Sequence, residues 1–392
     1  MFLIDKPYLS DILKQTLIQS GIPVVITPGA LSLGLDSAMN QLTETQAVDY
    51  LRHQDPIKLY TNSENAIGWI AENLAFTDLP ATLSIFKDKA AFRRATKSLF
   101  PSLFFREIKL EDLKNTNIND LPLPFIIKPC TGFFSMGVHK ISHPREWPAV
   151  LEAIFHEIET TKGIYPDQVF NSAAFIIEGC ITGEEYAIDA YYDSHGDPVI
   201  VNIHKHMFAS DDDVSDRVYS TSKTIVSDNL ERFTGLLADM GRLIPARNFP
   251  VHAEVRVDFT GAMVPIEVNP MRFGGWCTTP DMALLAYGFN AYEAFFQEIR
   301  PDWDRLLSDK DGQVYSIVVL DNSTGEPADA IESFDYQALS SHFTRLLDLR
   351  PIDYREYPVF GIAFVETPEN DSSELEAILR SDLREFTVFC PD

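Results

Sequence analysis

The sequence predicts a mixed α/β fold, with α+β character in its strand-rich middle, spread over more than one domain. Three observations carry that expectation. The chain has 392 residues, against roughly 150 for a typical domain. Its apolar period switches repeatedly between the helical and strand repeats. The stretch after Pro301 reads β-α-β-β-α-β, the order of a ferredoxin-like split βαβ unit. With 45% hydrophobic, 11% aromatic and 23% charged residues, the composition is that of a folded protein rather than a disordered one.

Residues 1 to 85 read as a small α/β unit: Tyr8 to Ser20 is helix-like, Ile22 to Thr27 is a β-branched strand, and Ala66 to Leu74 is a second amphipathic helix. From Phe86 to about Pro166 follow a basic helix (KDKAAFRRATKSLF), the strand PFIIKP, a glycine-containing loop, the strand GVHKI and the helix REWPAVLEAIFHEI. From Ala173 to about Arg300 strands dominate: FIIEGCI, EYAIDAYY, PVIVNIHKH, HAEVRVDF and MVPIEVN, closed by a helical run from Pro280 to Ile299. The tail supplies strand VYSIVVL, helix YQALSSHFTRLL, strands DYREYPV and GIAFVE, helix SELEAILRS and strand EFTVF.

Charge excludes some function classes. A net charge of −26 repels nucleic acid and anionic lipid at long range. The start, MFLIDKPYLSDILKQ, has neither the basic region nor the apolar run of a signal peptide, and no stretch has transmembrane length. Cys130, Cys180, Cys277 and Cys390 lie 50, 97 and 113 residues apart, without metal-knuckle or redox-pair spacing. The expectation is a cytoplasmic protein with reduced thiols.

The segment VHAEVRVDFTGAMVPIEVNP is the most informative. Strict alternation puts Val251, Ala253, Val255, Val257 and Phe259 on one face of a strand and His252, Glu254, Arg256 and Asp258 on the other. A two-residue turn at Thr260-Gly261 sets Glu254 opposite Glu267 and His252 opposite Asn269; a four-residue loop sets Glu254 opposite Asn269. Carboxylates facing each other across a ladder repel unless a cation lies between them. Oxygen ligands of this kind suit Mg²⁺ better than zinc or iron. The plainer reading is a solvated hairpin face.

Upstream, PFIIKPCTGFFSMGV places Lys128 at the end of an apolar strand, before a loop with Gly132, Ser135 and Gly137. Backbone amides in such a loop can cradle phosphates. No Gly-Lys-Ser/Thr follows, so this is not a Walker A loop. In FIIEGCITGEEYAIDAYY, Glu178 ends a strand, Ile181 to Gly183 form a connector and Glu185 begins the next strand. Such a connector can offer amide edges to adenine and a carboxylate to ribose hydroxyls. Lys205 sits within the apolar strand PVIVNIHKH, where it must reach water or an anion.

Asp88-Lys89 on a helix, IIKP with its glycine loop, IEGCITGEE, a mid-strand lysine, and HAEVRVD followed by PIEVNP occur here in the order of the ATP-grasp superfamily, which the chain resembles over roughly residues 86 to 280. The resemblance implies a Rossmann-like pre-ATP-grasp domain (1–85), an ATP-grasp domain (86–305, with a lid over about 86–175 and a metal and substrate part over about 176–305) and the ferredoxin-like tail (312–392). Residue by residue, it implies that Lys89 and Lys128 hold ATP phosphates and that Ser135, Met136, Gly137 and Val138 form the lid loop. Glu178 and the backbone at Ile181 bind adenine, Glu185 binds ribose with Glu184 as the alternative, and Lys205 reaches the phosphates. Glu254, Glu267 and Asn269 ligate Mg²⁺, with Asp258 as an alternative; two ions are expected, and Mn²⁺ is a substitute. Many relatives carry an arginine two positions after the metal-binding asparagine. Here that position is Met271 and the arginine is Arg272, so Arg256 and Arg272 are both candidates for stabilising a transferred phosphoryl group.

The run FGGWCTT lies where relatives position the acceptor, with Trp276 as a candidate pocket wall and Cys277 as a structural thiol. FASDDDVSDRVYSTSK, which contains Arg217, is a candidate substrate loop or a solvated connector. The activity implied is ATP-dependent carboxylate–amine ligation through an acyl phosphate with ADP release, acting on small molecules such as amino acids or dipeptides. The alternatives are a kinase on the same fold and a non-catalytic ATP-binding regulatory module. Neither nucleic acid nor membrane is an expected partner, and a homodimer is compatible with the sequence.

Overall fold

A computed structural model describes residues 1–132, 137–161, 171–210, 213 and 215–390. The chain divides into two compact units, neither contiguous. The first comprises Met1–Gly183, Ala190–Val199 and Gly235–Cys277; the second comprises Glu184–Asp189, Ile200–Thr234 and Thr278–Asp392. Among the described residues no helix is long and apolar enough to cross a membrane.

The first unit begins with a four-stranded parallel sheet. Strand Phe2–Leu3 sits inside it, with Val24–Ile26 and then Gln41–Thr43 on one side and Tyr60–Thr61 on the other. The expected first helix is Asp11–Ser20, capped by the Ser10 side chain and stopped at Gly21, whose φ of 65° closes the last turn. The expected second helix is Ile67–Asn73, led in by a 3₁₀ turn at Glu64–Ala66. Because the chain lays strands first to one side and then to the other, the strand order reverses beside Phe2–Leu3. In parallel sheets, such a reversal leaves a crevice at the carboxyl ends of the strands.

The basic helix expected around Lys89 is instead two helices, Leu79–Lys87 and Lys89–Thr96. They break at Asp88, which is extended and caps the second through its side chain, Ala91 N donating at 2.7 Å. Lys89 is therefore the first residue of the second helix. Beyond it, four antiparallel strands form a sheet in the order Phe105–Lys109, Asn171–Gly179, Phe125–Thr131, His139–Ile141. Phe125, Ile127, Ile141, Trp147, Ile154, Phe175 and Ile177 make its core, with helix Trp147–Thr161 supplying Trp147 and Ile154.

The unit also contains the hairpin Phe249–Val257 and Met263–Pro270, where Glu254 faces Glu267 and His252 faces Asn269. The register matches the expectation, but by a different route. The turn holds three residues, since Asp258 and Ala262 pair across it and Gly261 takes a φ of 85°. A bulge between Glu254 and Val255 then restores the offset. The expected apolar face is buried from Val251 to Val257, whereas Phe259 stands at the turn and is 100% exposed.

In the second unit, strands Pro198–Met207, Val218–Ser222, Gln313–Asp321, Val359–Pro368 and Leu346–Pro351 follow one another as antiparallel neighbours. The tail keeps the expected central arrangement but differs in three places. An extra strand, Ile331–Phe334, precedes its first helix, Tyr336–His342. The strand expected at 353–359 is a turn, nucleated where the Asp353 side chain accepts from Arg355 N at 3.0 Å, and the strand lies earlier, at Leu346–Pro351. The last strand, Thr387–Phe389, pairs with Ile331–Phe334 in a separate two-stranded sheet. Its ferredoxin-like place beside Gln313–Asp321 is already taken by Val218–Ser222, which satisfies that edge.

Candidate functional site

The first unit gathers most of the polar residues singled out above. Lys128 lies inside the strand Phe125–Thr131 rather than at its end, because the pairing with Asn171–Gly179 runs on past Pro129; it is buried, and its ammonium lies 2.9 Å from Glu178. Glu178, only 2% exposed, takes its second cation from Arg93, which is buried one helical turn beyond Lys89. Arg93 also donates to the carbonyls of Pro265 at 2.7 Å and Ile266 at 3.2 Å, so the Lys89–Thr96 helix grips the backbone just before Glu267. Burial alone would raise the Glu178 pKa, but Lys128 and Arg93 outweigh it and hold the acid at about 2.

Glu267 receives Lys89 at 3.0 Å and the Asn269 side-chain amide at 3.1 Å. Desolvation pushes its pKa up; the ammonium groups of Lys89 and Lys128 prevail and hold it well below the ordinary carboxylate range. Glu254 lies directly across the ladder, with His252 Nε2 at 3.7 Å. Two opposed carboxylates and a carboxamide form a hard oxygen donor set suited to Mg²⁺, which keeps positions for water or phosphate oxygens. Among the described residues no group of three or more His, Cys, Asp or Glu could hold a metal ion. The set therefore depends on the Asn269 amide as its third protein donor.

The two candidate arginines have different surroundings. Arg256 donates to the Ile181 carbonyl at 2.7 Å and so braces the connector after Glu178. Gly183 ends that connector at a φ of 125°, and a Cβ there would lie 2.2 Å from the Val257 carbonyl oxygen. Only glycine lets the two backbones approach so closely. Arg272 instead contacts Glu64 at 2.7 Å and donates to the Phe273 carbonyl at 2.8 Å. Burial would lower its pKa, but Glu64 first, and then Glu254 and Glu267, raise it.

Of the lid-loop candidates, Ser135 and Met136 lie outside the described residues. Gly137 turns at a φ of 70° against Pro129, and Val138 is exposed. Glu184, Glu185 and Lys205 belong to the second unit. There Lys205 pairs with Glu184, which also accepts from the Tyr186 hydroxyl at 2.9 Å. Glu185 is buried and lies 3.1 Å from His206 Nδ1. Asp258 caps its own turn, accepting from Thr260 N at 2.8 Å and Ala262 N at 3.0 Å. Trp276, at a φ of 57°, stacks on Tyr8 with centroids 6.3 Å apart, and Cys277 is buried.

Arg217 is a structural anchor. Buried in the second unit, it pairs with Asp321 at 2.8 Å and donates to the Ile378 and Ser381 carbonyls, tying its strand to the tail. Asp211 and Asp212 lie outside the described residues, while Asp213 accepts from Ala209 N at 2.7 Å and Ser215 N at 2.8 Å.

Sequence reasoning missed Arg93 and Glu64. Arg93 stood in a run of basic residues that reads as a solvated face. Its position four residues after Lys89, on the same side of a helix, was the available signal. Glu64 sat in a segment without periodicity and offered none.

No curated protein matches the chain by sequence. Solved structures match its fold. An L-amino acid ligase from Bacillus licheniformis superposes with a TM-score of 0.70 at 16% identity, covering 100% of this chain and 98% of its own. N5-carboxyaminoimidazole ribonucleotide synthetase from Thermotoga maritima gives 0.65 at 12% identity, covering 98% of both chains. The biotin carboxylase domain of Hydrogenobacter thermophilus 2-oxoglutarate carboxylase, in complex with MgADP and bicarbonate, gives 0.61 at 12% identity, covering 94% of this chain and 86% of that one. Residues 121–280, which carry Lys128, Glu178, Glu254, Glu267 and Asn269, match the model of the ATP-grasp domain. Residues 121–280 thus carry an ATP-grasp domain, and the chain as a whole shares the fold of these ligases.

Proposed function

We propose that the protein is an ATP-dependent carboxylate–amine ligase. The observation that carries this reading is the pairing of Glu254 with Glu267 across the hairpin, beside Asn269, with Lys89 on Glu267 and Lys128 nearby on Glu178. Glu254, Glu267 and Asn269 would hold Mg²⁺, which neutralises charge on phosphate oxygens when bound. Lys89, Lys128 and Arg272 give a chain of net charge −26 a local cationic surface for a polyanion. Glu185 and Lys205 are the second unit's nucleotide candidates, and the sequential division at 1–85, 86–305 and 312–392 is part of the proposal.

In the reaction, a substrate carboxylate oxygen attacks the γ-phosphorus of ATP. The bond from that phosphorus to the β–γ bridging oxygen breaks, and its electron pair leaves on ADP. An amine nitrogen then attacks the acyl carbon, phosphate departs, and the nitrogen loses a proton. The chain contributes position and charge: Lys89 and Lys128 hold phosphates, Arg272 faces the transferred group, and exclusion of water protects the acyl phosphate from hydrolysis. The fold likeness to an L-amino acid ligase supports an amino acid as acid or amine.

The test is ADP release from Mg-ATP with pooled amino acids, dipeptides, polyamines and small carboxylic acids, using Glu267→Ala as the blank. Acceptor-dependent release that disappears in the variant, with an amide product, is the expected outcome. A stable phosphorylated product would make the protein a kinase. Tight nucleotide binding without release in any pool would make it a binding module.

A further inference from the structure

Glu64 lies three residues beyond the strand Tyr60–Thr61, at the carboxyl end of the parallel sheet where the strand order reverses. Its two carboxylate oxygens hold different cations: one takes Arg272 at 2.7 Å and the other takes the buried ammonium of Lys87. All three side chains are almost fully withdrawn from water. One carboxylate between two cations leaves the group with a single net positive charge.

The backbone around Arg272 is fixed by the same strand. Thr61 N donates to the Met271 carbonyl at 2.8 Å, with the Thr61 hydroxyl on the same oxygen at 3.2 Å; Phe273 N donates to the Tyr60 hydroxyl at 3.3 Å. Met271 N donates to the Pro250 carbonyl at 2.8 Å, and Met271 is fully buried at a φ of 65°, a conformation a non-glycine residue adopts only when its surroundings impose it. Strand and hairpin together thus turn the chain immediately before Arg272, and Glu64 sets the direction of the guanidinium. Because it holds Arg272 by one oxygen, the arginine's remaining donors keep a defined orientation.

We propose that Glu64 is a positioning residue, which with Lys87 orients Arg272 toward the transferred phosphoryl group and leaves that position a net cation. The inference rests on the ligase reading above only in requiring a nucleotide site. Glu64 acts through Arg272 and touches no reacting atom, so its removal should weaken recognition of the transferred group far more than recognition of the nucleotide that remains.

The test is calorimetric titration of the full chain with Mg-ADP, followed by orthovanadate on the Mg-ADP complex, for wild type, Glu64→Gln, Glu64→Asp, Arg272→Lys and the Glu64→Gln/Arg272→Lys double variant. The expected result is Mg-ADP affinity within about twofold of wild type in Glu64→Gln and Glu64→Asp, and vanadate affinity reduced on the order of tenfold or more in Glu64→Gln. Glu64→Asp should recover part of the loss, and the double variant should be no worse than the weaker single variant, because the two residues act as one unit. Circular dichroism identifies a variant that has not folded, in which case the charge-conserving Glu64→Asp carries the comparison. Wild-type vanadate affinity in Glu64→Gln, or additive losses in the double variant, would overturn the inference while leaving the nucleotide site intact. Absence of Mg-ADP binding by wild type would overturn the nucleotide reading and this inference with it.

Discussion

Glu64 and Glu178 share a design in which one buried carboxylate is held between two cations, Lys87 and Arg272 for the first and Lys128 and Arg93 for the second. Burial works against both anions, and the paired cations overcome it, placing each pKa at about 2 against an ordinary 4.5. The sign of the linkage follows directly. Between these values the unfolded chain binds protons that the folded chain refuses, so folding stability rises with pH across that interval. The contribution is complete above about pH 4.5 and is lost as pH falls toward 2. Urea midpoints measured from pH 6 downward should therefore fall steeply below about pH 4.5, and Glu178→Gln should flatten that slope while lowering the midpoint at neutral pH. Legibility at this scale depended on context. Lys89, Lys128, Glu254, Glu267 and Asn269 were readable because each sits at a fixed place in an alternating or motif-bearing stretch. Glu64 and Arg93 were not, because their partners lie 208 and 85 residues away in sequence, a separation that local pattern does not encode.

The connector between Glu178 and Glu185 packs against the backbone of Val257 at Gly183. Gly183 lies so close to the Val257 carbonyl that a methyl group cannot be accommodated, and its φ of 125° is unfavourable for any L side chain. Gly183→Ala should destabilise the protein by about 2 to 4 kcal/mol, read as a lowered urea midpoint, and should weaken nucleotide binding by displacing the Ile181 carbonyl from Arg256. An unchanged midpoint would mean that the strand end yields. The hairpin shows where element-level reading fails. The facing of Glu254 and Glu267 was legible from alternation, yet the turn carries one residue more than expected and a bulge compensates for it. Period-two patterning fixes which residues share a face but does not record the two-against-one pairing of a bulge. In the tail, the order of helices and strands was largely readable. The partner of the last strand was not, because the edge it would have joined is filled by Val218–Ser222, more than 160 residues earlier in the chain.

At the scale of the whole molecule, a strongly acidic chain collects Lys87, Lys89, Arg93, Lys128 and Arg272 against four carboxylates, Glu64, Glu178, Glu254 and Glu267. On the proposed function, that near-neutral cluster within a net charge of −26 should favour a nucleotide and divalent cation bound together over the nucleotide alone. Mg-ADP at a hundred times its dissociation constant should stabilise the fold by about 2.7 kcal/mol, visible as a rise in melting temperature. Chelation of the metal should remove most of that rise, and Glu267→Ala should abolish it. A rise unaffected by chelation would separate nucleotide binding from the Glu254–Glu267 pair.

The first unit is assembled from three stretches of chain, the last ending at Cys277. On a ribosome, Lys89 therefore emerges well over a hundred residues before Glu267, the acid it pairs with. At about 5 to 20 residues per second, this leaves Lys89 for many seconds without its carboxylate. Throughout that interval the nascent protein carries the Lys89 ammonium without the carboxylate that offsets its burial, so the first unit can close only after most of the polypeptide has been made.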